Sequence, residues 1–168
     1  MRVIIVGGGP VGLLVGSVLQ KIPTIDDIKL FDSPINRPEM NLALSARSLE
    51  IMNHLKLENS SYEPIRFIHV SEKGSFGSIM LSASELGYER FGIVTCSSNL
   101  IEEIKKNFNS VEFREITDVK PRSEKTFPAV QLVDGHSIEA DLIIICDGGK
   151  SSITSNLGIH STQRPFDR

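Results

Sequence analysis

The sequence predicts an α/β fold in which a parallel sheet lies beside a small antiparallel meander. Three observations support this fold class. An apolar run at 3–6 ends in a glycine-rich turn, a second apolar run at 142–146 ends in another glycine-bearing turn, and short strand-like segments precede the second run. Uninterrupted apolar runs are typical of parallel strands that are buried on both faces. With 168 residues and 40% hydrophobic content, the chain is long enough to form such a core.

The first element is a strand followed by a turn and a helix. Gly7, Gly9 and Gly12 follow the run at 3–6 with the spacing Gly-x-Gly-x-x-Gly, and residues 13–20 have the pattern of a helix. In this fingerprint the first glycine permits a tight turn, the second lets a pyrophosphate approach the backbone, and the third lets the helix pack close to the sheet. The N–H groups at the helix start would face the phosphates. The spacing therefore predicts a dinucleotide-binding βαβ unit of the Rossmann type.

The second strand is predicted at 28–31 and ends in Asp32, twenty residues after Gly12. An acidic residue at this place in a βαβ unit binds a ribose hydroxyl. The alternative is a turn-forming role before Ser33 and Pro34, which is the commoner role for such a residue taken alone. Because the full fingerprint surrounds it, we expect Asp32 to contact a nucleotide.

The middle of the chain has helix and hairpin patterns. Helices are predicted at 45–55 and at 99–108, and a hairpin is predicted with strands at 65–70 and 76–81. Ser45 is the expected cap of the first of these helices. We expect residues 62–92 to contribute to a second, incomplete sheet.

The last third of the chain is predicted to be mostly strand. Short strands at 111–113, 117–120, 129–132 and 137–140 predict an antiparallel meander. The meander leads into the apolar run at 142–146, which ends in Asp147, Gly148 and Gly149. Because ligands of doubly wound sheets bind at the carboxyl ends of the strands, we expect a ligand at this edge.

Composition excludes several classes of protein. The formal net charge is −3 and no dense run of Lys and Arg occurs, so we expect no nucleic-acid partner. The N-terminal apolar run is short and interrupted by glycines, which excludes a membrane anchor or secretory signal there and predicts a cytoplasmic protein. Cys96 and Cys146 lack a C-x-x-C spacing, and Cys146 is predicted to be a buried free thiol. The four histidines have no ligand spacing, so no metal site is predicted.

Several motifs together resemble those of a known family. They are the turn at 6–12, Ala43-Leu44-Ser45, Gly92-Ile93-Val94, Asp134-Gly135, and the segment from Ala140 through Asp147-Gly148 to Ser151. Over nearly its whole length, the chain resembles the first half of FAD-dependent aromatic hydroxylases, of the ubiquinone-biosynthesis type that acts on polyprenylated phenols. The resemblance implies a Rossmann-like FAD-binding domain with a small meander and the start of a second, substrate-covering sheet.

The resemblance also implies cofactors and a reaction. FAD would be the cofactor and NAD(P)H the electron donor, and one oxygen atom of O₂ would be inserted into a small aromatic ring or a polyprenylated phenol. The cofactor would carry that chemistry while the protein orients it and excludes water. No catalytic residue is identified. The implied cofactor-binding residues are Gly7, Gly9, Pro10, Val11, Gly12, Asp32, Arg47, Val119, Asp147 and Gly148.

The chain departs from the family in length. Residues 1–160 are expected to form the FAD/NAD(P)-binding domain, and residues 161–168 a tail that leads toward a C-terminal half that this sequence does not contain. The missing half would cover the substrate. We therefore expect a second polypeptide or another copy of the chain to cover the exposed apolar face, and at most indirect membrane contact because no basic amphipathic helix is present.

The chain also departs from the family in charge. Three arginines of the family pattern are replaced, by Met40, Ser98 and Thr154. A charge-assisted contact from Arg to a phosphate contributes about 1.5 to 3 kcal/mol, so losing one weakens FAD binding roughly ten-fold or more. Arg37 or Arg47 could replace one of them, and the alternative for each is an ordinary solvated charge.

Two other functions stay open at this point. The first is a non-catalytic nucleotide-binding or partner module with the same fold, which the lost arginines favour. The second is the NAD(P)-binding domain of a dehydrogenase, which fits the hairpin and the meander less well. His69 and Tyr88 are candidates to face a substrate, although surface or sheet packing is the commoner role for each.

Overall fold

A computed structural model describes residues 1–34, 38–57, 61–108, 110–148, 152–160 and 162. In chain order the elements are β1 (Arg2–Val6), α1 (Pro10–Leu19), β2 (Asp27–Asp32), β3 (Asn41–Ser45), α2 (Ala46–His54), β4 (Glu63–Ile65), β5 (Phe67–Ser71), β6 (Ser78–Ser82), a 3₁₀ helix (Ser84–Leu86), β7 (Gly92–Cys96), α3 (Ser97–Asn107), β8 (Val111–Phe113), β9 (Ile116–Lys120), β10 (Ala129–Leu132), β11 (Ser137–Glu139), β12 (Leu142–Ile145) and α4 (Ser152–Asn156). The chain divides into two compact units: Met1–Asn36 with Phe108–Arg168, and Arg37–Asn107.

The first unit contains a parallel sheet with the strand order β12-β1-β2-β8. Val3 pairs with Leu142 on one side and with Ile28 on the other. Because side chains alternate along a strand, Val3 and Ile5 face away from Ile4 and Val6, and all four are buried. The parallel sheet confirms the α/β fold class that the apolar runs predict.

Helix α1 contacts β1 and β2 and begins three residues earlier than predicted. Pro10 occupies its first turn, where a missing N–H costs nothing and the fixed φ suits the helix. Gly16 of this helix lies against the buried ring of Phe108. The small residues of α1 therefore allow a close approach to its neighbours.

The predicted meander covers the opposite face of the sheet. Strands β9, β10 and β11 form an antiparallel sheet with the order β11-β10-β9. Its apolar side chains join those of the parallel sheet in one core, which contains Ile4, Val6, Phe31, Val119, Val130, Leu132, Ala140 and Ile153. The first unit is thus a parallel sheet between a helix and a meander.

Two predictions for this unit are corrected. Residues 111–113 were expected in the meander, but β8 pairs in parallel with β2, with Leu30 opposite Val111. A strand of three residues carries no pattern that identifies its partner. The run at 142–146 was expected to be buried on both faces, but β12 lies at the edge of the sheet in the described part of the chain, where Leu142 is 40% exposed. Cys146 is a free thiol as predicted, but it is half-buried rather than buried.

The second unit has an antiparallel sheet with the order β3-β7-β4, which α2 and α3 contact through β3 and β7. Ser45 caps α2 as predicted, because its Oγ accepts from the N–H of Ser48 at 3.3 Å. The sequence patterns do not predict β3 or β7 as strands. The buried apolar side chains here include Met52, Leu55, Leu57, Ile93, Leu100 and Ile104.

The predicted hairpin is present as β5 and β6, a two-stranded sheet with His69 opposite Met80. Its side chains are largely exposed on both faces, among them Phe67 at 64% and Ile79 at 62%. Tyr88, the other candidate to face a substrate, is 62% exposed. No described residue of another strand pairs with this ribbon.

Candidate nucleotide-binding site

The three predicted parts of the site meet at one edge of the parallel sheet. Strands β1, β2 and β12 are parallel neighbours, so their carboxyl ends lie side by side. β1 ends before Gly7, β2 ends at Asp32, and β12 ends before Cys146 and Asp147. The turn after β1 therefore lies between the ends of the other two strands.

Gly7 makes the tight turn on the β12 side. Its φ is +107°, a conformation that favours glycine. Its N–H donates to Phe31 O at 2.8 Å. A Cβ at this position would lie 2.5 Å from Cys146 O and 2.7 Å from Asp147 N. Only a glycine fits, because both the backbone conformation and the space exclude a side chain.

Gly12 makes the close helix contact that the fingerprint predicts. A Cβ here would lie 2.0 Å from the carbonyl oxygen of Gly7, so the helix backbone packs directly on the turn. Gly9 precedes the helix with φ −73° and ψ 178°, an extended conformation that any residue adopts. The backbone conformation at Gly9 therefore does not by itself require glycine.

The first turn of α1 has the features of an anion-binding helix start. Pro10 has no N–H, the N–H of Leu13 donates to Gly9 O at 3.1 Å, and the N–H groups of Val11 and Gly12 have no acceptor within the helix. No side chain caps the helix start, and no acidic residue lies in the first turn. Val11 is 64% exposed. These N–H groups and the positive end of the helix dipole suit a phosphate.

Gly8 and Asp32 approach each other on the β2 side. A Cβ on Gly8 would lie 2.7 Å from Asp32 Oδ2. Asp32 is half-buried, and its Oδ1 accepts from the N–H of Ser33 at 3.0 Å. The Gly-x-Gly-x-x-Gly spacing does not identify Gly8, although the run of three glycines is a signal that this position also lacks room for a side chain.

Ser33 is a second residue at this edge that the sequence pattern does not identify as a binding residue. Its Oγ is buried and has no hydrogen-bond partner among the described residues. A buried hydroxyl without a partner is costly, and a ligand hydroxyl could satisfy it. Its position next to Asp32 is where a ribose is expected in this type of unit. The residues present therefore fit a dinucleotide.

The turn after β12 completes the edge. Asp147 is half-buried, and Gly148 is exposed with φ +90°. The N–H of Cys146 donates to Val6 O at 2.6 Å and joins this turn to β1. Burial, and then the charge of Asp147, raise the pKa of the Cys146 thiol. Gly149 and Ser151, which belong to the same predicted motif, lie outside the described residues.

Two other predicted site residues belong to other elements. The Val119 side chain is in the core, 6% exposed. Arg47 lies at the start of α2 in the second unit, and its exposed side chain pairs with Glu50. Arg37, the other candidate to replace a lost family arginine, lies outside the described residues, as does most of the predicted tail at 161–168.

Ser98, where the resemblance implies an arginine, lies beside an acidic residue. The Cys96 thiol and the Ser98 hydroxyl donate to Glu39 Oε1 at 2.5 and 2.6 Å. The hydrogen bond from Cys96, and then that from Ser98, lower the pKa of Glu39. A cavity of about 510 Å³ in the same unit is lined by Asn41, Ser61, Tyr62, Glu63, Val94, Thr95, Cys96 and Asn99.

Among the residues that the structure describes, no group of three or more His, Cys, Asp and Glu could hold a metal ion. No helix in the described part of the chain is long and apolar enough to cross a membrane.

Solved structures show the same fold. PqsL of Pseudomonas aeruginosa, a probable FAD-dependent monooxygenase, matches 99% of this chain and 48% of its own, at 17% identity and a TM-score of 0.74. The match to the Diels-Alderase PyrE3 covers 94% of this chain and 34% of that chain, with 23% identity and a TM-score of 0.74. HpxO of Klebsiella pneumoniae was solved with FAD and uric acid. Its match covers 85% of this chain and 38% of that chain, with 19% identity and a TM-score of 0.64.

The chain thus spans between about a third and a half of the length of these solved chains. No curated protein sequence matches it significantly. A family model described as "FAD binding domain" matches residues 1–166, nearly the whole chain. The glycine turn between the ends of β2 and β12 is therefore the turn of a known flavoprotein fold, and the chain belongs to the FAD binding domain family.

Proposed function

We propose that this chain is the FAD-binding part of a flavin-dependent aromatic hydroxylase. The observation that carries the proposal is the glycine turn at the start of α1, flanked by Asp32 on one side and by the peptide of Cys146 and Asp147 on the other. This arrangement combines an anion-binding helix start with a carboxylate placed for a ribose. Membership of the FAD binding domain family supports FAD as the dinucleotide.

Each residue at this edge has a role in the proposal. The N–H groups of Val11 and Gly12 bind the pyrophosphate, which approaches over Gly9. The Asp32 carboxylate and the Ser33 hydroxyl bind the adenosine ribose.

Gly7 and Gly12 keep the turn and helix in contact, and Pro10 begins the helix. Asp147 and Gly148 lie on the path of the pyrophosphate and the electron donor. The bound FAD supplies the redox and oxygen chemistry.

Val119 and Arg47 are also proposed to contact FAD, and each contact has its own condition. The Val119 side chain is buried in the core, so its contact with FAD would come from its main chain. Arg47 would have to leave Glu50 to reach a phosphate, which costs little because exposed ion pairs are weak.

The finer activity is also a proposal. We infer NAD(P)H as the electron donor and a small ring compound as the substrate, in the cytoplasm, with a polyprenylated phenol of ubiquinone biosynthesis as the specific candidate. HpxO, solved with FAD and uric acid, supports a small planar substrate. Residues 1–160 would form the FAD/NAD(P)-binding domain, with 62–92 in an incomplete substrate sheet and 161–168 leading out of it.

The proposal also includes a partner for the hairpin of β5 and β6. An isolated two-stranded hairpin is marginally stable in water, and β5 and β6 expose Ile68, Val70, Ile79 and Leu81 on one face. A second polypeptide or another copy of the chain would cover this face and complete the sheet. The completed sheet would cover the substrate.

Flavin retention tests the proposed function. Purified chain would be mixed with excess FAD, freed of unbound flavin, and measured by visible absorption and by titration calorimetry. We expect retained flavin bands, and a FAD affinity about ten-fold lower in Asp32→Asn because a charged hydrogen bond to the ribose is lost. Glu124→Gln, the same chemical change in an exposed loop of the first unit, is the matched control and should bind like the parent.

A bulky variant gives a second, independent readout. Gly9→Trp should abolish flavin retention, because the indole would occupy the path of the pyrophosphate. A chain that is folded by circular dichroism and retains no flavin would contradict the proposal. Equal retention by the parent, Asp32→Asn and Gly9→Trp would contradict the proposed site even if flavin binds elsewhere.

A non-catalytic nucleotide-binding module is the second candidate function. The observation that favours it is the Glu39 carboxylate beside Ser98, where the family pattern has an arginine. A hydroxyl held by a carboxylate cannot supply the positive charge that an arginine would offer to an anionic cofactor. NAD(P)H oxidation by FAD-loaded chain plus any complementing polypeptide separates the two candidates, because the module would bind FAD without turnover.

A further inference from the structure

An aromatic side chain lies beside Asp32 at the carboxyl edge of the parallel sheet. β2 ends at Asp32 and β8 ends at Phe113, and these two residues are opposite each other in the parallel register. Neighbouring strands lie about 4.8 Å apart, and residues opposite each other face the same side of the sheet. Phe113 therefore projects on the same side as the carboxylate that is proposed to bind the ribose.

The Phe113 ring is exposed at the end of a covered face. Leu30 and Val111, one step earlier on the same face, are buried and half-buried, whereas Phe113 is 62% exposed. An exposed apolar side chain is ordinary in itself. The position of the ring next to Asp32 is the observation that points to a ligand.

The segment after Phe113 is held in place by contacts with the turn between β10 and β11. The N–H of Val133 donates to Glu115 O at 3.1 Å, and the Arg114 guanidinium donates to Asp134 Oδ2 at 2.5 Å. These contacts fix the end of β8 against the meander. Because the Asp134 carboxylate compensates the charge of Arg114, this corner suits an uncharged ring.

The order of the strands gives the direction in which a bound dinucleotide would run. The order is β12-β1-β2-β8. The proposed pyrophosphate site is at the start of α1, after β1, and the proposed ribose site is at the end of β2. The ribose is bonded to the pyrophosphate through one carbon atom and to its base through another. The base therefore continues away from the pyrophosphate, toward the end of β8 and Phe113.

We propose that Phe113 stacks on the adenine base of the bound cofactor and so makes the chain prefer a ligand that carries ADP. This inference rests on the proposed FAD site. Aromatic rings attract each other in offset or edge-to-face arrangements, and the exposed phenyl ring can adopt either with a planar base. FMN has no adenine, so only the ADP part of FAD gains from Phe113.

Titration calorimetry with FAD, ADP and FMN tests the stacking. We expect Phe113→Ala to weaken the binding of FAD and of ADP about ten-fold, because the contact between base and aromatic ring is lost. The affinity for FMN should not change. Phe113→Tyr keeps the ring and should bind FAD like the parent. Phe127→Ala is the matched control, since it is the same change at an exposed phenylalanine between β9 and β10.

The preference for ADP over UDP separates stacking from a structural role. The single ring of uracil overlaps an aromatic side chain less than the two rings of adenine do, so the parent should bind ADP several-fold more tightly than UDP. Phe113→Ala should reduce this preference, because the two ligands share the ribose and the pyrophosphate. A variant that only loosened the fold would weaken both ligands equally.

Phe113→Trp gives a direct signal and keeps the stacking testable if Phe113→Ala fails to fold. The chain has no tryptophan, so the emission of this variant reports on position 113 alone. We expect ADP to change the emission saturably, whereas inorganic pyrophosphate, which has no base, should leave it unchanged.

Three results would overturn the stacking while the proposed site stands: equal FAD affinity of the parent and Phe113→Ala when Asp32→Asn binds more weakly, an unchanged preference for ADP over UDP, or no response of Phe113→Trp to bound ADP. A folded parent chain that binds neither FAD nor ADP would overturn the proposed function together with the stacking. Self-association that Phe113→Ala abolishes, with unchanged ADP affinity, would assign the ring to a contact between copies and also overturn the stacking.

Discussion

A Cβ atom on Gly8 would lie 2.7 Å from Oδ2 of Asp32, so the turn after β1 and the end of β2 touch at this point. Gly12 has a different neighbour, because its Cβ would lie 2.0 Å from the backbone oxygen of Gly7. One glycine borders a side chain and the other borders the main chain. A substitution at Gly8 should therefore affect mainly the Asp32 side chain, whereas one at Gly12 should affect the main chain of the turn.

Gly12→Ala should destabilise the fold by about 1–3 kcal/mol, the usual cost of forcing extra atoms into a packed site. The clash is with the backbone of Gly7, which the parallel sheet holds in place. Urea unfolding followed by circular dichroism measures the change. Gly16→Ala is the matched control within the same helix, since its clash is with the ring of Phe108, which can shift. A smaller loss for Gly12→Ala than for Gly16→Ala would contradict this account.

Gly8→Ala should lower FAD affinity more than it lowers stability. The new methyl group would lie 2.7 Å from Oδ2 and 2.9 Å from Cβ of Asp32, so it would displace the half-buried carboxylate from its place at the end of β2. We expect FAD to bind several-fold more weakly, up to the roughly ten-fold loss expected for removing one charged hydrogen bond. Calorimetric titration with FAD measures the affinity, and urea unfolding measures the stability. Unchanged FAD affinity with a large loss of stability would show that Asp32 does not take part in binding.

Ser45→Ala should lower the free energy of unfolding by about 1 kcal/mol, as expected for a lost N-cap. The Ser45 Oγ accepts from the N–H of Ser48, which has no acceptor within the helix. Ser48→Ala keeps this N–H and its acceptor, and loses only the contact of the two hydroxyls at 3.2 Å. We expect Ser48→Ala to stay within about 0.5 kcal/mol of the parent, as for most surface substitutions. Equal losses in the two variants would argue against the cap.

The contribution of Asp134 to stability should depend on pH. The main-chain N–H of His136, and then the guanidinium of Arg114 at 2.5 Å, lower the pKa of Asp134 to about 2 from its usual 3.8. A carboxyl whose pKa is lowered on folding stabilises the protein above its unfolded value, and this stabilisation is lost as the pH falls through the folded value. The difference in unfolding midpoint between parent and Asp134→Asn should shrink between pH 3.8 and about 2. A difference that stays constant over this range would contradict the pKa shift.

Cys146 should react slowly with iodoacetamide. Burial and the charge of Asp147 raise the pKa of its thiol above the usual 9.0, so less thiolate is present at pH 8 than in a free cysteine peptide. Labelling rates measured by mass spectrometry in a Cys96→Ser background report Cys146 alone. We expect a rate below that of the free peptide, still rising above pH 9.0, and a faster rate in Asp147→Asn. A rate equal to that of the peptide would contradict the raised pKa.

The family of the chain could be predicted from the sequence because its motifs each span only a few residues. The spacing of Gly7, Gly9 and Gly12 after an apolar strand, and the acid that ends the next strand, depend on steric rules that act over a few residues. The Ser45 cap and the hairpin of β5 and β6 depend on similarly short patterns. The structure confirms these elements. The polyprenylphenol subtype rests on the resemblance alone and stays a proposal.

The sequence by itself determined which segments become strands and helices around the glycine turn, whereas the tertiary structure decided which segments meet. Only the fold showed that 111–113 extends the parallel sheet beside β2, that β12 is the last strand of this sheet among the described residues, and that Gly8 lies against Asp32. Pairing depends on which distant side chains are buried together. A short strand such as β8 has the same local pattern whichever partner it takes, so burial across the whole unit makes that choice.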